Sequence, residues 1–151
     1  MKITFIGHRD FLTTEETEQQ MQDILINLPN NEEIEFFLGG YGNFDIFAKN
    51  CCKKYQTTHS LARLYLVTPY ISPSYLNSIK YTFDDYDQII AFSSAEKPQK
   101  YTIIKRNYEM VKMADLIIAY VNFPFGGAYK SFLYATRLKK NIINLGTLKQ
   151  T

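Results

Sequence analysis

Tryptophan is absent from this 151-residue chain, and cysteine occurs only at Cys51 and Cys52. Neighbouring cysteines rarely meet the geometry of an ordinary disulfide, so a disulfide-stapled secreted scaffold is excluded. The N-terminus carries no signal-peptide pattern, and the two observations together lead to the expectation of a cytoplasmic protein. No apolar run approaches the roughly 20 residues of a membrane helix. Charge of one sign is also scarce: 17 Lys and Arg face 15 Asp and Glu, a net +2. The basic residues are scattered apart from Lys53-Lys54 and Lys139-Lys140, which argues against nucleic acid as a general partner. The only histidines, His8 and His59, form no metal-ligand cluster. Neither a metal nor a cofactor is expected.

What the chain does have is a 46% hydrophobic content, enough over 151 residues for one domain. Such a domain buries roughly 68–70% of the surface its unfolded form exposes. Its 12 Tyr and 11 Phe are mostly core and surface filler. No internal repeat, low-complexity stretch or linker divides it, so residues 1–151 are read as a single unit.

Strand-like and helix-like segments alternate along the chain. Ile3–Ile6 reads as a strand ending at Gly7-His8-Arg9. Thr13 and Glu16 have capping-box spacing, and Met21, Ile24, Leu25 and Leu28 recur at helical intervals before Pro29. Ile34–Leu38 is a second strand, and Gly39-Gly40-Tyr41-Gly42 is its turn. Phe44, Phe47, Ala48, Cys51 and Tyr55 then mark one helix face, which makes Cys51 a packing residue. Leu61–Val67 is a third strand, Gln88–Phe92 a brief fourth, and Tyr101–Met113 a helix whose apolar stripe is interrupted by Asn107. Leu116–Val121 leads through a Pro-containing loop to Gly126-Gly127-Ala128-Tyr129 and a last helix bearing Phe132, Ala135 and Leu138. Its final turn holds Arg137, Lys139 and Lys140, with Asn141 as its cap, and Ile142–Leu145 is the closing strand. The succession predicts a Rossmann-like three-layer α/β domain, with a mostly parallel sheet and helices on both faces.

In such a sheet ligands sit beyond the carboxyl ends of the strands. Those ends supply Gly7, His8 and Arg9, then Gly39, Gly40 and Gly42, then Gly126, Gly127, Ala128 and Tyr129. Glycine turns leave the first N–H groups of the following helix free to meet a phosphate. Neither turn has the GxGxxG or GxxxxGK spacing of a dinucleotide site or a P-loop. Arg9 suits a forked pair with an anion, and His8 is either a proton carrier or a turn-stabilising residue. Asp45 is a first-turn charge, a contact to the sugar or base of a ligand, or the carboxylate of an N-glycosidic hydrolase. Arg106 and Asn107 are a polar pair in the middle of a helix, which invites a functional reading: Arg106, or Arg9, neutralising a phosphate and Asn107 contacting sugar or base. His59 reads as solvated, and Asp115 as structural.

These blocks, from Ile3–Arg9 through Phe37–Asp45, Arg106–Val111 and Ala114–Val121 to Gly126–Lys130, resemble in order and spacing the YpsA-like branch of the SLOG superfamily. The resemblance implies a Rossmann-like domain binding a nucleotide or nucleotide-derived ligand, and the reading that follows is a sensor or sequestering protein. The aromatic-rich surface could bury patches in a homo-oligomer. The superfamily also includes DNA-processing proteins and nucleotide phosphoribohydrolases, which keep N-glycosidic cleavage and a DNA-processing scaffold as alternatives. The phosphoribohydrolase pattern GGxGTxxE places Ser131 where its glutamate stands. A neutral hydroxyl cannot supply that carboxylate, so hydrolase activity is disfavoured.

Overall fold

The sheet is built from strands that alternate their apolar residues between two helical layers. In the computed structural model, which describes residues 1–69, 85–91 and 99–150, β1 (Lys2–Gly7) is followed by α1 (Glu15–Ile26), β2 (Ile34–Leu38), α2 (Asn43–Gln56), β3 (Ala62–Thr68) and β4 (Gln88–Ala91). α3 (Gln99–Met113), β5 (Leu116–Tyr120), α4 (Gly126–Arg137) and β6 (Asn141–Asn144) complete the order. All six strands pair in parallel, in the order β4-β3-β2-β1-β5-β6. The expected α/β architecture is therefore present, and its sheet is wholly parallel among the described residues. Phe92 and most of the Tyr70–Asp87 stretch lie outside the described residues.

Period-two alternation assigns the faces. Ile3, Phe5, Ile34, Phe36, Leu38, Ala62, Leu64 and Ile118 point into the core beneath α1 and α2. Ile6, Ile117, Ala119 and Val121 point the other way, against Val111 of α3 and Phe132 and Ala135 of α4. Phe37 and Val67 meet Met110 of α3 on that same second side. Strands covered on both faces read as near-continuous apolar runs, which is why they stand out in the sequence.

Four local details differ from the sequence reading. The capping box of α1 uses Thr14 and Thr17, because Thr17 lies on the inward face with Met21 and Leu25. Its buried hydroxyl needs the partner that Thr14 provides, its O–H donating to the Thr14 carbonyl at 2.9 Å. In α2 the fully buried thiol is Cys52, four residues after Ala48, while Cys51, expected as a packing residue, is partly buried and does pack against the same core. α4 ends at Arg137: Lys139 takes the left-handed conformation at φ 56°, so Asn141 opens β6 and does not cap the helix. Lys140 lies outside the last turn, and its Nζ donates to the carbonyls of Lys112 (2.7 Å) and Ala114 (3.0 Å) at the end of α3. His59, finally, is not simply solvated: its ring stacks on Tyr55 at 3.7 Å and 7°.

Candidate functional site

The strand order turns around β1. The chain runs outward through β2, β3 and β4, then returns to place β5 on the other flank of β1. Such a reversal leaves a crevice beyond the carboxyl ends of the two adjacent strands. A cavity of about 500 Å³ lies there. It is lined by Gly7, His8, Arg9 and Asp10 after β1, Tyr41 and Asp45 around the start of α2, Ile103, Arg106, Asn107 and Met110 of α3, and Phe123, Phe125, Gly126, Gly127, Ala128 and Ser131.

Most of the residues singled out from the sequence thus converge from four separate segments. Gly39, Gly40, Gly42 and Tyr129 do not line the cavity. Gly39 supplies a carbonyl to Arg106. Gly40 and Gly42 shape the turn, with Gly42 at φ 94° passing so close to Arg9 that an added Cβ would lie 3.0 Å from its Cα. Tyr129 packs with Ala128 against the core under α4. A second cavity, about 490 Å³ between α1 and α2, shares no lining residue with the first.

Arg106 is the least expected occupant of an apolar layer. It is 3% exposed, and burying a guanidinium is costly without partners. Its Nη1 donates to the carbonyls of Gly39 (2.8 Å) and Val67 (3.1 Å), and its Nε to Asn107 Oδ1 (2.9 Å). The polar pair on α3 is thereby explained: Asn107 orients the guanidinium. Among the described residues no carboxylate lies within ion-pair distance of Arg106. The carboxyl of Asp45 is its neighbour across Gly39, where an added Cβ would lie 3.2 Å from Arg106 Nη1 and 3.2 Å from Asp45 Oδ2, and the two act on each other through space without an ion pair.

The opposite wall is the start of α4. Phe125 at its N-cap offers no side-chain acceptor, so the first N–H groups of the helix have no side-chain cap. Gly126, at φ 90°, has a conformation only glycine adopts freely. Gly127 has no such requirement, and a Cβ on it would meet nothing within 4 Å. The fold itself does not demand glycine there.

His8 is a structural element of this wall. Its Nε2 accepts the Asn122 N–H at 3.0 Å, and its ring stacks on Phe123 at 4.0 Å and 12°. Burial holds its pKa below the usual imidazole value despite the pull of Asp10, which preserves the unprotonated Nε2 that this bond needs. Asp45 sits in the first turn of α2, where its Oδ2 accepts the Tyr41 N–H at 3.0 Å. Burial raises its carboxyl to about 6, outweighing that hydrogen bond and the charge of Arg106. Arg9 is exposed and lies over the Tyr41 ring at 5.4 Å. Ser131 is buried in the cavity wall.

Sequence reasoning passed over Phe123 and Phe125, whose rings stack on each other at 4.3 Å. Two aromatic residues around Pro124, directly before a glycine pair, were the available signal. Among the described residues no group of three or more His, Cys, Asp or Glu side chains is arranged to hold a metal, and no helix is long and apolar enough to cross a membrane. The polar groups that the cavity does hold suit recognition of an anion.

No family model and no curated protein matches the chain. Solved structures do. DNA processing protein A from Helicobacter pylori, described for its single-stranded DNA binding mode, superposes with a TM-score of 0.65 at 17% identity over 95% of this chain. The Streptococcus pneumoniae DNA processing protein A gives 0.63 at 12% identity over 95%. The structural-genomics target TM1055 gives 0.52 at 13% identity over 93% of this chain and 71% of its own. This chain spans 64% and 49% of the lengths of the two DNA processing proteins. What is shared is the fold, and the DNA-processing proteins expected as relatives have it.

Proposed function

We propose that this protein binds a nucleotide or nucleotide-derived ligand in the crevice beside β1 and β5, as a sensor or sequestering protein of the YpsA-like branch of the SLOG superfamily in the cytoplasm. The observation that carries the reading is Arg106, a buried guanidinium without a carboxylate in ion-pair range among the described residues, lining the same cavity as the uncapped glycine start of α4. Phosphate is the group that both features suit: the helix end offers N–H donors and a partial positive charge, and Arg106 a full one. Asp45 and Asn107 line the same cavity and supply polar contacts for a sugar. Binding without turnover is favoured, because Ser131 gives the cavity a hydroxyl in the place of the motif carboxylate.

Thermal denaturation with a nucleotide panel tests this. A ligand at a hundredfold excess over its Kd stabilises by about 2.7 kcal/mol, or about 5–10 °C for a domain of this size. In Gly127→Val the branched side chain enters open space at the helix start, so the fold persists while the shift disappears. An unshifted wild type, or a shift retained in Gly127→Val, refutes the proposal.

A second reading, a DNA-processing scaffold, is favoured by the shared fold with a protein whose single-stranded DNA binding is described. Retardation of a single-stranded oligonucleotide that weakens steeply with salt supports it.

A further inference from the structure

We infer that the cavity reads an aromatic base as well as a phosphate, and that the outer face of Phe125 is the platform on which the base stacks. The inference rests on the binding reading above and specifies the other half of the ligand. Three rings form a column: His8 stacks on Phe123 at 4.0 Å and 12°, and Phe123 on Phe125 at 4.3 Å and 25°. The column is anchored at its inner end, where His8 is 7% exposed and bonded to the Asn122 N–H. It ends at Phe125, which is 65% exposed and lines the cavity.

An aromatic ring held this way gains little for the fold, since most of its surface stays in water. For a ligand it offers a large flat face whose orientation is already fixed, which lowers the ordering cost of binding. Phe125 is also the N-cap residue of α4, so the platform is adjacent in the backbone to Gly126 and Gly127, where the phosphate is placed. A molecule carrying a flat base and a phosphate spans the two, and a bare phosphosugar uses only one. Ile103 and Met110 add apolar wall to the same cavity. The hydrogen bond that anchors the column needs an unprotonated Nε2, and burial favours that form of His8.

The source of the base is either a free nucleotide or the terminal nucleotide of a single strand. Because the chain contains no tryptophan, Phe125→Trp places a single indole reporter at the platform. The full chain is titrated with each of the four common nucleoside monophosphates, with ribose 5-phosphate and with a short single-stranded oligonucleotide, by indole fluorescence and by calorimetry. Saturable quenching by at least one monophosphate, and none by ribose 5-phosphate, is expected. Phe125→Ala weakens that monophosphate about 5–150-fold, the range for loss of one base–aromatic stack. It leaves ribose 5-phosphate unchanged, and Phe125→Tyr restores tight binding. Quenching by the oligonucleotide at lower concentration assigns the base to a strand end, and quenching by the monophosphate alone assigns it to a free nucleotide. If ribose 5-phosphate binds as tightly as every monophosphate, or Phe125→Ala changes nothing, the platform is refuted while phosphate binding stands. If no phosphorylated compound binds, both readings fall.

Discussion

Asp45 is a carboxylate that the fold pays for, and replacing it with asparagine exposes the cost. Its carboxyl is raised from 3.8 to about 6, chiefly by burial. A carboxyl with a higher pKa in the folded chain binds its proton more tightly there, so folding is favoured below this window and weakened as pH rises through 3.8 to about 6. At 1.36 kcal/mol per unit the full cost at neutral pH is about 3 kcal/mol, and partial exposure of the residue to solvent reduces it to about 2 kcal/mol. The asparagine introduced by Asp45→Asn keeps a carbonyl oxygen for the Tyr41 N–H and carries no charge. The variant is therefore more stable than wild type by about 2 kcal/mol at pH 7, or about 4–8 °C in Tm. The advantage shrinks to roughly half by pH 5 and nearly vanishes near pH 4. Urea denaturation of both proteins at pH 7, 5 and 4 measures it. An advantage independent of pH, or a loss of stability at pH 7, refutes the reasoning.

Three further perturbations test the framework around the cavity. In Gly7→Ala the new methyl overlaps Cγ and Cδ1 of Phe44, which is 1% exposed, and the overpacking costs about 1–3 kcal/mol in urea denaturation; an unchanged midpoint contradicts it. Asn144→Ala removes a side chain that accepts from Val121 and Gly146 N–H, both at 3.0 Å, and donates to the carbonyls of Val121 (3.0 Å) and Leu148 (2.7 Å). It lowers stability by about 2–4 kcal/mol and speeds hydrogen exchange at the Val121 amide. The glycine pair separates cleanly: Gly126→Ala forces a side chain to φ 90° at a cost of about 1–2 kcal/mol, whereas Gly127→Ala in the first turn of α4 stabilises by about 0.5–1 kcal/mol. Equal effects at the two positions would contradict the assigned backbone.

The strands were legible because doubly covered parallel strands are apolar throughout: Ile34–Leu38 was read with its observed bounds, and Leu116–Val121 ran only one residue beyond the observed β5. Helix ends were less legible. Thr13-Glu16 and Thr14-Thr17 have the same spacing, and only the burial of Thr17 decides between them. Cys51 and Cys52 likewise differ by one helical step, and the packing against Ala48 chooses Cys52. Arg106 was noticed as part of a mid-helix polar pair, but its hold on Gly39 and Val67 joins residues far apart in the chain that no local pattern connects. The aromatic column was missed because Phe123 and Phe125 look like ordinary filler until His8 is brought against them.

The central claim is that a phosphorylated nucleotide-type ligand sits between Arg106 and the start of α4. Amide chemical-shift mapping during titration with nucleoside monophosphates tests it most directly, because it reports position as well as binding. The largest shifts are expected at Gly126, Gly127 and Ala128, with smaller ones at Gly7, His8 and Arg9, and none at Ile46, Asn50 and Cys51 in the groove between α1 and α2. Shifts confined to that groove, or a titration that moves no amide around the cavity, would contradict it.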